Sequence, residues 1–132
     1  MIGVSLARTS DKNVCDEILD MNKQDDIFFK DDSIAWQDLG KGVQRKVLGY
    51  TPEMMLVKVR FETGAVGELH HHPHVQTSYV SSGKFSYSID GKDQILSQGD
   101  GCVVPSNLVH GCVCLEAGEL IDTFTPFRAD FI

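Results

Sequence analysis

Residues 68–83 read ELHHHPHVQTSYVSSG, in which four histidines and one glutamine fall close together: His70, His71, His72, His74 and Gln76. Side chains of an extended chain alternate between two faces, so His70 and His72 share one face and His71 points the other way. Gln76 and His74 have the same parity as that pair. Because the intervening proline favours a kink or turn, the direction of position 74 stays ambiguous.

Short runs rich in Val, Ile, Phe, Tyr and Thr fill the chain from about Ile34 onward, and Gly, Asp, Asn and Pro separate them. The runs are VQRKVLGY, MMLVKVRFE, TSYVSSG, KFSYSID, QILSQ, GCVVP, VHGCVCLE and LIDTFTPF. Regular short strands with turn signals between them predict an all-β sandwich or barrel. The dipeptide Asp90-Gly91 predicts a tight hairpin turn, and Pro105 with Asn107 predicts another turn.

The amino-terminal part has a different pattern. Residues 10–24, SDKNVCDEILDMNKQ, predict a helix because apolar residues recur at helical spacing and a serine can cap the first turn. A polar link, KQDDIFFKDDS, follows it. The sequence therefore predicts a partly helical extension over residues 1–33 and a β-domain over residues 34–132.

Length and charge exclude several classes of protein. A chain of 132 residues suffices for one compact domain, and a net charge of −7 argues against a nucleic-acid surface, which needs clustered Lys and Arg. No apolar run approaches the ~20 residues that span a bilayer, so no membrane partner is expected. The start, MIGVSLARTSDK, has no long apolar core and no small-residue cleavage site of a signal peptide, which predicts a cytoplasmic location.

Four cysteines occur: Cys15, Cys102, Cys112 and Cys114. An even number permits disulfides, but the length and the expected location favour reduced thiols. Cys112 and Cys114 would share a strand face with His110, and thiolates are good zinc ligands. The interpretation that the sequence favours is simpler: they are small apolar fillers inside a barrel.

The fifth histidine, His110, lies far downstream in NLVHGCVC. Two histidines from one strand and one from a distant strand, converging inside a barrel, would make a good metal site. Neutral imidazole is a preferred ligand of divalent first-row metals. The simplest alternative is a surface cluster of histidines that binds nothing.

The spacing of these residues resembles the two signature motifs of the cupin superfamily. The first reads Gly-x5-His-x-His-x3-Gln-x6-Gly over residues 64–83, and the second reads Gly-x5-Pro-x-Asn-x2-His over residues 99–110. The resemblance implies a single double-stranded β-helix barrel, jelly-roll-like, with the motifs on paired strands. It further implies that four side chains bind a metal: His70, His72, Gln76 and His110. The family's usual glutamate is a glutamine here.

Three imidazoles and a neutral amide would hold one divalent transition metal, and ligand type does not choose between nickel, zinc, manganese, cobalt and iron. A glutamate would have cancelled one unit of the metal's charge. The uncancelled charge makes a stronger Lewis acid and invites an anionic substrate oxygen. His74 is expected to lie outside the ligand set, either behind a ligand or in contact with the substrate.

The carboxyl-terminal run GELIDTFTPFRADFI contains three further candidates: Asp122, Phe124 and Arg128. Asp122 and Phe124 share parity, so both can face the barrel interior. Arg128 offers a planar fork that matches a carboxylate. Taken alone, each has a simpler interpretation as a turn or salt-bridge residue, a core residue or a solvated charge. Together, beside a metal motif, they predict a pocket for a small anionic ligand.

Residues 36–131 resemble the pectin-degradation cupins of the KdgF type, most clearly in the His-x-His-Pro-His-x-Gln run and the Asp-x-Phe-x-Pro-x-Arg ending. That family opens the ring of 4,5-unsaturated monouronates left by pectin or alginate lyases and gives linear keto acids. The counterparts of Asp122, Phe124 and Arg128 are its functional residues near the metal. The resemblance therefore implies a small anionic sugar acid as substrate, and it also implies a homodimer.

The chemistry of the residues assigns expected roles. The metal would bind a substrate oxygen and stabilise developing negative charge. Asp122 would move a proton as general acid or base, Arg128 would hold the uronate carboxylate, and Phe124 would pack against the sugar face. His74 is a further candidate for substrate contact.

Two other functions stay open from the sequence, although an isomerase-like enzyme is favoured. A metal-dependent oxygenase on the same barrel would favour iron and consume oxygen, and it would have no obvious need for Asp122 and Arg128. A non-catalytic sugar-acid-binding or sensing cupin would bind uronates and leave them unchanged. Four aromatic residues are expected in the core or at a dimer interface: Trp36, Tyr79, Phe85 and Tyr87.

Overall fold

A computed structural model describes residues 27–132, which form an antiparallel β-structure of eight strands. The strands are β1 (Gln37–Gly40), β2 (Val43–Thr51), β3 (Met54–Phe61), β4 (Val66–His70), β5 (Val75–Ile89), β6 (Lys92–Ser97), β7 (Gly101–Val104) and β8 (His110–Thr125). Two short 3-10 helices, Asp31–Ser33 and Ala129–Phe131, flank them. The predicted all-β class is confirmed. The helix predicted over residues 10–24 lies outside the described residues, and a domain boundary at residue 33 stays a prediction.

The two long strands, β5 and β8, organise the barrel. They pair with each other along nearly their whole length, from Val75 opposite Thr125 to Ile89 opposite His110. On its other edge β8 pairs with β4 and then with β3, while β5 pairs with β7 and then with β6. Each long strand is thus shared between two halves of the sheet. This sharing folds the sheet into the double-stranded β-helix barrel expected from the sequence.

Both long strands were predicted as two separate runs, and glycine explains why the runs join. Gly83 adopts a φ of +83°, which only glycine tolerates readily, so β5 bends there without ending. A Cβ atom on Gly118 would overlap the backbone of Ser82 and Gly83, so β8 needs a glycine where it passes β5. The predicted hairpin at Asp90-Gly91 is confirmed, with φ values of 51° and 80°.

The barrel interior contains two apolar clusters. The larger cluster surrounds Phe61 and Phe85, whose rings pack edge to face with centroids 5.2 Å apart. Cys112 and Cys114 are free and buried in this cluster, as their interpretation as apolar fillers predicts. The smaller cluster consists of four buried residues: Tyr50, Met55, Val57 and Phe124.

The described end of the amino-terminal segment lies against the outside of β2 and β3. The ammonium groups of Lys58 and Lys46 donate hydrogen bonds to the Asp31 carboxylate, at 2.7 Å and 2.9 Å. These two bonds hold the pKa of the Asp31 carboxyl below its usual value. Within residues 27–132, no helix is both long enough and apolar enough to cross a membrane.

Candidate metal centre

Three histidines gather inside the barrel from distant parts of the chain. His70 is the last residue of β4 and lies opposite His110, the first residue of β8, while His72 follows in the loop before β5. One ring nitrogen from each lies within 4.8 Å of the other two. His110 is 1% exposed and His72 is 7% exposed, whereas His70 lies at the solvent side. These three side chains could hold a metal ion.

Backbone carbonyls fix which nitrogen of each ring faces the centre. The Nδ1 atoms of His70, His72 and His110 lie 2.8, 3.1 and 2.9 Å from the carbonyl oxygens of Glu68, His74 and Leu108. A carbonyl only accepts, so each Nδ1 carries a proton, and in a neutral ring this leaves the lone pair on Nε2. This is the arrangement in which protein imidazoles bind metals.

Gln76, the fourth predicted ligand, brings an oxygen atom next to two of these histidines. Its Oε1 lies 2.9 Å from Nε2 of His72 and 3.2 Å from Nε2 of His110. Its Nε2 donates to the hydroxyls of Ser78 at 3.1 Å and Tyr87 at 3.4 Å, which keeps the carbonyl turned towards the histidines. A glutamate at this position would lose that donor. This network gives a physical reason for the departure from the usual cupin motif.

The donor set fits a transition metal. With the imidazole protons on Nδ1, the Nε2 atoms of His72 and His110 and the Oε1 atom of Gln76 are all acceptors, and acceptors packed this closely repel unless a cation lies between them. Neighbouring ligands about 2.1 Å from an ion are about 3 Å apart at octahedral right angles and about 3.4 Å apart at tetrahedral angles. The observed separations of 2.9 and 3.2 Å are close to these spacings.

Burial keeps the ligand candidates neutral. It lowers the pKa of His110 to about 4 and lowers that of His72 below its usual value, against the opposing effect of their hydrogen bonds. Neutral imidazole is the form that binds metals, so neither ring has to lose a proton at neutral pH. The side chain of Gln76 carries no charge, and the centre therefore contributes no negative charge of its own.

The other histidines of the run lie outside this group. His71 is exposed, as its opposite parity predicts. His74 is half-buried, with its ring centroid 5.3 Å from that of His72 and 6.4 Å from that of Phe124. The Nδ1 atom of His74 is buried and has no hydrogen-bond partner within residues 27–132. It is thus a buried polar atom next to the histidine cluster, closed to solvent in this conformation.

Asp122 connects to the metal centre through a chain of buried hydrogen bonds. The Ser78 hydroxyl donates to Asp122 Oδ1 at 2.7 Å, and the same Ser78 oxygen lies 3.0 Å from the Tyr87 hydroxyl and accepts from Gln76. Burial raises the pKa of the Asp122 carboxyl to about 7, although the Ser78 hydrogen bond and the charge of Arg128 act to lower it. A buried carboxyl with such a pKa can hold or release a proton near neutral pH.

Phe124 and Arg128 lie beside the histidines at one end of the barrel, which we call the mouth and define by His74, Phe124, Arg128 and Phe131. The Phe124 ring is 5.8 Å from that of His72 and packs edge to face on it. The guanidinium carbon of Arg128 lies 5.1 Å from the Phe124 ring centre and 4.2 Å from that of Phe131. The structure thus brings the predicted acid, ring and guanidinium together around the metal centre.

Known proteins with related sequences place this chain in a family. Residues 57–124 match the family model described as "Cupin domain". The pectin degradation protein KdgF of Dickeya dadantii is 44% identical over 107 residues, which cover 80% of this chain and 97% of that protein. The chain is a cupin of the KdgF family.

Solved structures of two cupins agree with this assignment. KdgF from a Halomonas species superposes with a TM-score of 0.77 at 43% identity, covering 80% of this chain and 99% of the other. An RmlC-like cupin from Shewanella frigidimarina superposes with a TM-score of 0.79 at 42% identity, covering 81% and 96%. In each case nearly all of the relative is matched, so the shared part is a whole cupin domain.

Four side chains at the site of this cupin were not singled out as functional by the sequence: Ser78, Tyr87, Arg45 and Asp130. Ser78 has the parity of Gln76, which was the available signal. Tyr87 was expected only as a core or interface residue; it is buried, and it also joins the hydrogen-bond chain. Arg45 lies between two inward-facing valines of β2, where a charged residue is itself a signal.

In the metal-free protein, the variant Asp122→Asn is expected to gain stability over wild type as the pH rises from about 4 to about 7. The pKa of this carboxyl is raised from 3.8 to about 7, so in this window the folded protein keeps a proton that the unfolded chain has lost. The difference in unfolding free energy should grow by on the order of 4 kcal/mol. Urea unfolding of both proteins in chelator, across this pH range, measures it.

Taking the difference between variant and wild type removes the effect of other titrating groups. His110 and His72, whose pKa values are lowered, make the folded state more stable as the pH rises, with the opposite slope. That contribution is common to both proteins. A difference that stays flat with pH would contradict a buried, protonated Asp122.

Proposed function

We propose that this cupin is a metal-dependent enzyme that opens the ring of 4,5-unsaturated monouronates, products of pectin or alginate breakdown, and yields linear keto acids. The observation that carries the proposal is the environment of Asp122. Its carboxyl is buried, has a pKa raised to about 7 and is linked through Ser78 and Gln76 to the histidine cluster. Similarity to a protein named for pectin degradation supports this substrate class.

Ring opening is an isomerisation that moves one proton. The anomeric hydroxyl of the substrate loses its proton, and the bond between the anomeric carbon and the ring oxygen breaks. The anomeric carbon becomes an aldehyde, and the ring oxygen leaves as the oxygen of an enolate. A proton then adds at carbon 4 and converts the enolate into a ketone. No oxidant, reductant or second substrate is needed.

Asp122 is suited to both proton transfers. As a carboxylate it takes the proton of the anomeric hydroxyl, and as a carboxylic acid it returns that proton at carbon 4. Burial raises the pKa of this carboxyl, which brings its protonated form towards neutral pH, and a pKa near the working pH is the condition for efficient general acid and base catalysis. The hydroxyl of Ser78, 2.7 Å from Oδ1, holds the carboxyl in one orientation.

A divalent metal held by His70, His72, His110 and Gln76 would supply a Lewis acid that stabilises negative charge on a substrate oxygen. These side chains are neutral, so they do not compete with an acid for that positive charge. The amide of Gln76 also donates to Ser78, which joins the metal ligands and the proton-transfer residue in one network.

The mouth residues would orient the acid. Arg128 offers a guanidinium to the uronate carboxylate, which is a charge-assisted and directional contact. Phe124 offers an apolar ring to the sugar, and its packing on His72 places that ring next to the metal centre. The half-buried ring of His74, which packs against His72 and Phe124, is a further candidate for substrate contact.

The test is turnover of a 4,5-unsaturated monogalacturonate by the metal-loaded protein, followed as loss of the ultraviolet absorbance of its conjugated double bond. We expect acceleration over the spontaneous rate, abolished by a chelator and restored by metal. If the protein binds the acid but does not accelerate its ring opening, the proposed enzymatic function is wrong and a sugar-acid-binding function takes its place. Oxygen consumption that accompanies turnover would replace ring opening by oxygenation.

A further inference from the structure

The guanidinium of Arg128, proposed to bind the substrate carboxylate, already binds a carboxylate of the protein itself, that of Asp130. Arg128 donates from Nε to Asp130 Oδ1 at 3.0 Å and from Nη2 to Asp130 Oδ2 at 2.9 Å. This two-pronged contact is the one that a bound uronate carboxylate would make. Asp130 therefore stands in the place, and in the geometry, of a substrate group.

The two partners of this ion pair differ in how firmly they are held. The Arg128 side chain is 12% exposed and stacks on the rings of Phe124 and Phe131, whereas the Asp130 side chain is 61% exposed. Exposed ion pairs contribute little stability because water and salt screen them. The guanidinium is thus the fixed element, and the aspartate carboxylate is the one that a competing acid can replace.

A second guanidinium, that of Arg45 in β2, contacts the same aromatic ring as Arg128. Arg45 lies in β2 between Val43 and Val47, which pack on the core, so its side chain points inward. Its guanidinium carbon is 3.8 Å from the centre of the Phe131 ring, which also carries Arg128. Phe131 is therefore in cation–π contact with both Arg45 and Arg128 at the mouth.

The polar groups of Arg45 are only partly satisfied. Its Nη2 donates to Gln37 at 3.1 Å, but its Nε is buried and has no acceptor within residues 27–132. A buried N–H without an acceptor is costly, and most such groups have a reason to be there. Burial and the charge of Arg128 lower the pKa of Arg45, while Asp130 acts to raise it, so the three groups feel one another's charge.

We propose that Arg45 and Arg128 together form the carboxylate subsite of the mouth, and that Asp130 is its internal occupant, displaced when a sugar acid binds. The proposed function supplies the class of acid, a monouronate. The subsite itself rests on the two arginines, the shared Phe131 ring and the exposed Asp130 carboxylate. Asp130 then sets specificity, because a neutral sugar gains nothing from replacing it.

The test uses saturated galacturonate, which cannot undergo the reaction, and galactose as the neutral comparison. Binding to the metal-loaded full chain is measured by nuclear magnetic resonance titration for wild type, Asp130→Asn, Arg45→Gln and Arg45→Lys. Asp93→Asn, an exposed acid on β6, is the matched control for a change of charge alone. Melting temperatures establish that the variants are folded.

We expect Asp130→Asn to tighten galacturonate binding about two- to fivefold, the range of an exposed ion pair, with galactose unchanged. Arg45→Gln should weaken galacturonate binding at least about tenfold, as expected for a lost hydrogen bond to a charged group, and Arg45→Lys should recover part of it. Weaker binding in Asp130→Asn would mean that Asp130 only positions Arg128 and would overturn the proposal. So would an unchanged affinity in Arg45→Gln, or the absence of galacturonate binding to both wild type and Asp130→Asn.

These outcomes separate the subsite from the proposed function. Wild type that fails to turn over an unsaturated uronate, with galacturonate binding tightened in Asp130→Asn, would reject ring opening and keep the subsite. Wild type that turns over the uronate, with neither Asp130 nor Arg45 affecting galacturonate, would keep ring opening and reject the subsite.

Discussion

Asp122→Asn is expected to lower kcat for ring opening of an unsaturated galacturonate by about 10²–10⁴-fold, the usual contribution of a positioned acid or base. Asparagine has nearly the same shape and can still accept the hydrogen bond that Ser78 donates at 2.7 Å. Its side-chain amide cannot exchange a proton, so it can neither take the proton of the anomeric hydroxyl nor deliver one to carbon 4. Initial rates from ultraviolet absorbance, corrected for the spontaneous reaction, measure the loss.

Two controls give this result its meaning. Bound metal per chain should be the same in Asp122→Asn and wild type, because Asp122 is separated from the metal centre by Ser78 and Gln76. Asp93→Asn, which removes an exposed carboxylate of β6, should leave kcat unchanged. Wild-type kcat in Asp122→Asn, with metal intact, would remove Asp122 from the reaction and return the proton transfer to water or to another side chain.

Much of the metal centre could be read from the sequence because its ligand candidates follow local rules. His70 and His72 share strand parity, and their spacing to Gln76 and His110 matches the cupin motifs. Parity also placed Asp122 and Phe124 inside the barrel, where both are buried. A strand sets the direction of His70, Asp122 and Phe124, whereas His72 lies in the loop that follows β4. The structure adds that the three histidine nitrogens lie within 4.8 Å of one another and that Gln76 Oε1 lies next to two of them.

The hydrogen-bond network could not be predicted in the same way, because it crosses an irregularity of β5. The register of β5 against β8 shifts between Val80 and Phe85, and this shift turns odd-numbered residues inward after it. Ser78 before the shift and Tyr87 after it therefore both face the interior, although their parities differ. A strictly alternating strand would have separated them. The irregularity depends on how β5 and β8 approach each other, which a local pattern does not encode.

The contacts of the mouth lay beyond the sequence for a different reason. Arg128 and Asp130 are two residues apart and follow β8, in a segment without a repeating period, so their pairing depends on the turn that joins them. Arg45 comes from β2, far away in the chain, and contacts the Phe131 ring that also packs on Arg128. The position of Arg45 between two inward-facing valines shows that its side chain points inward, but not which residues it meets there.

His110→Ala is expected to abolish stoichiometric metal binding and, with it, turnover. Loss of a group that merely supports a ligand costs about 10–100-fold in metal affinity or activity, so loss of a buried ligand should cost at least about 100-fold. His110 is 1% exposed, and its Nε2 lies 3.2 Å from Gln76 Oε1 at the centre of the cluster. Metal per chain after dialysis, measured by elemental analysis, gives the result directly.

His71→Ala is the matched control, because it removes a histidine of the same run that is exposed and outside the cluster. It should keep wild-type metal content and kcat. Thermal melts add a reading that does not depend on turnover: a ligand that binds only the folded state stabilises it, so a chelator should lower the Tm of wild type and His71→Ala but not that of His110→Ala. Full metal content in His110→Ala, or its loss in His71→Ala, would place the metal elsewhere. Because His110 is fixed by a carbonyl on one side of its ring and faces Gln76 on the other, its replacement also tests whether the neutral amide can hold the ion without it.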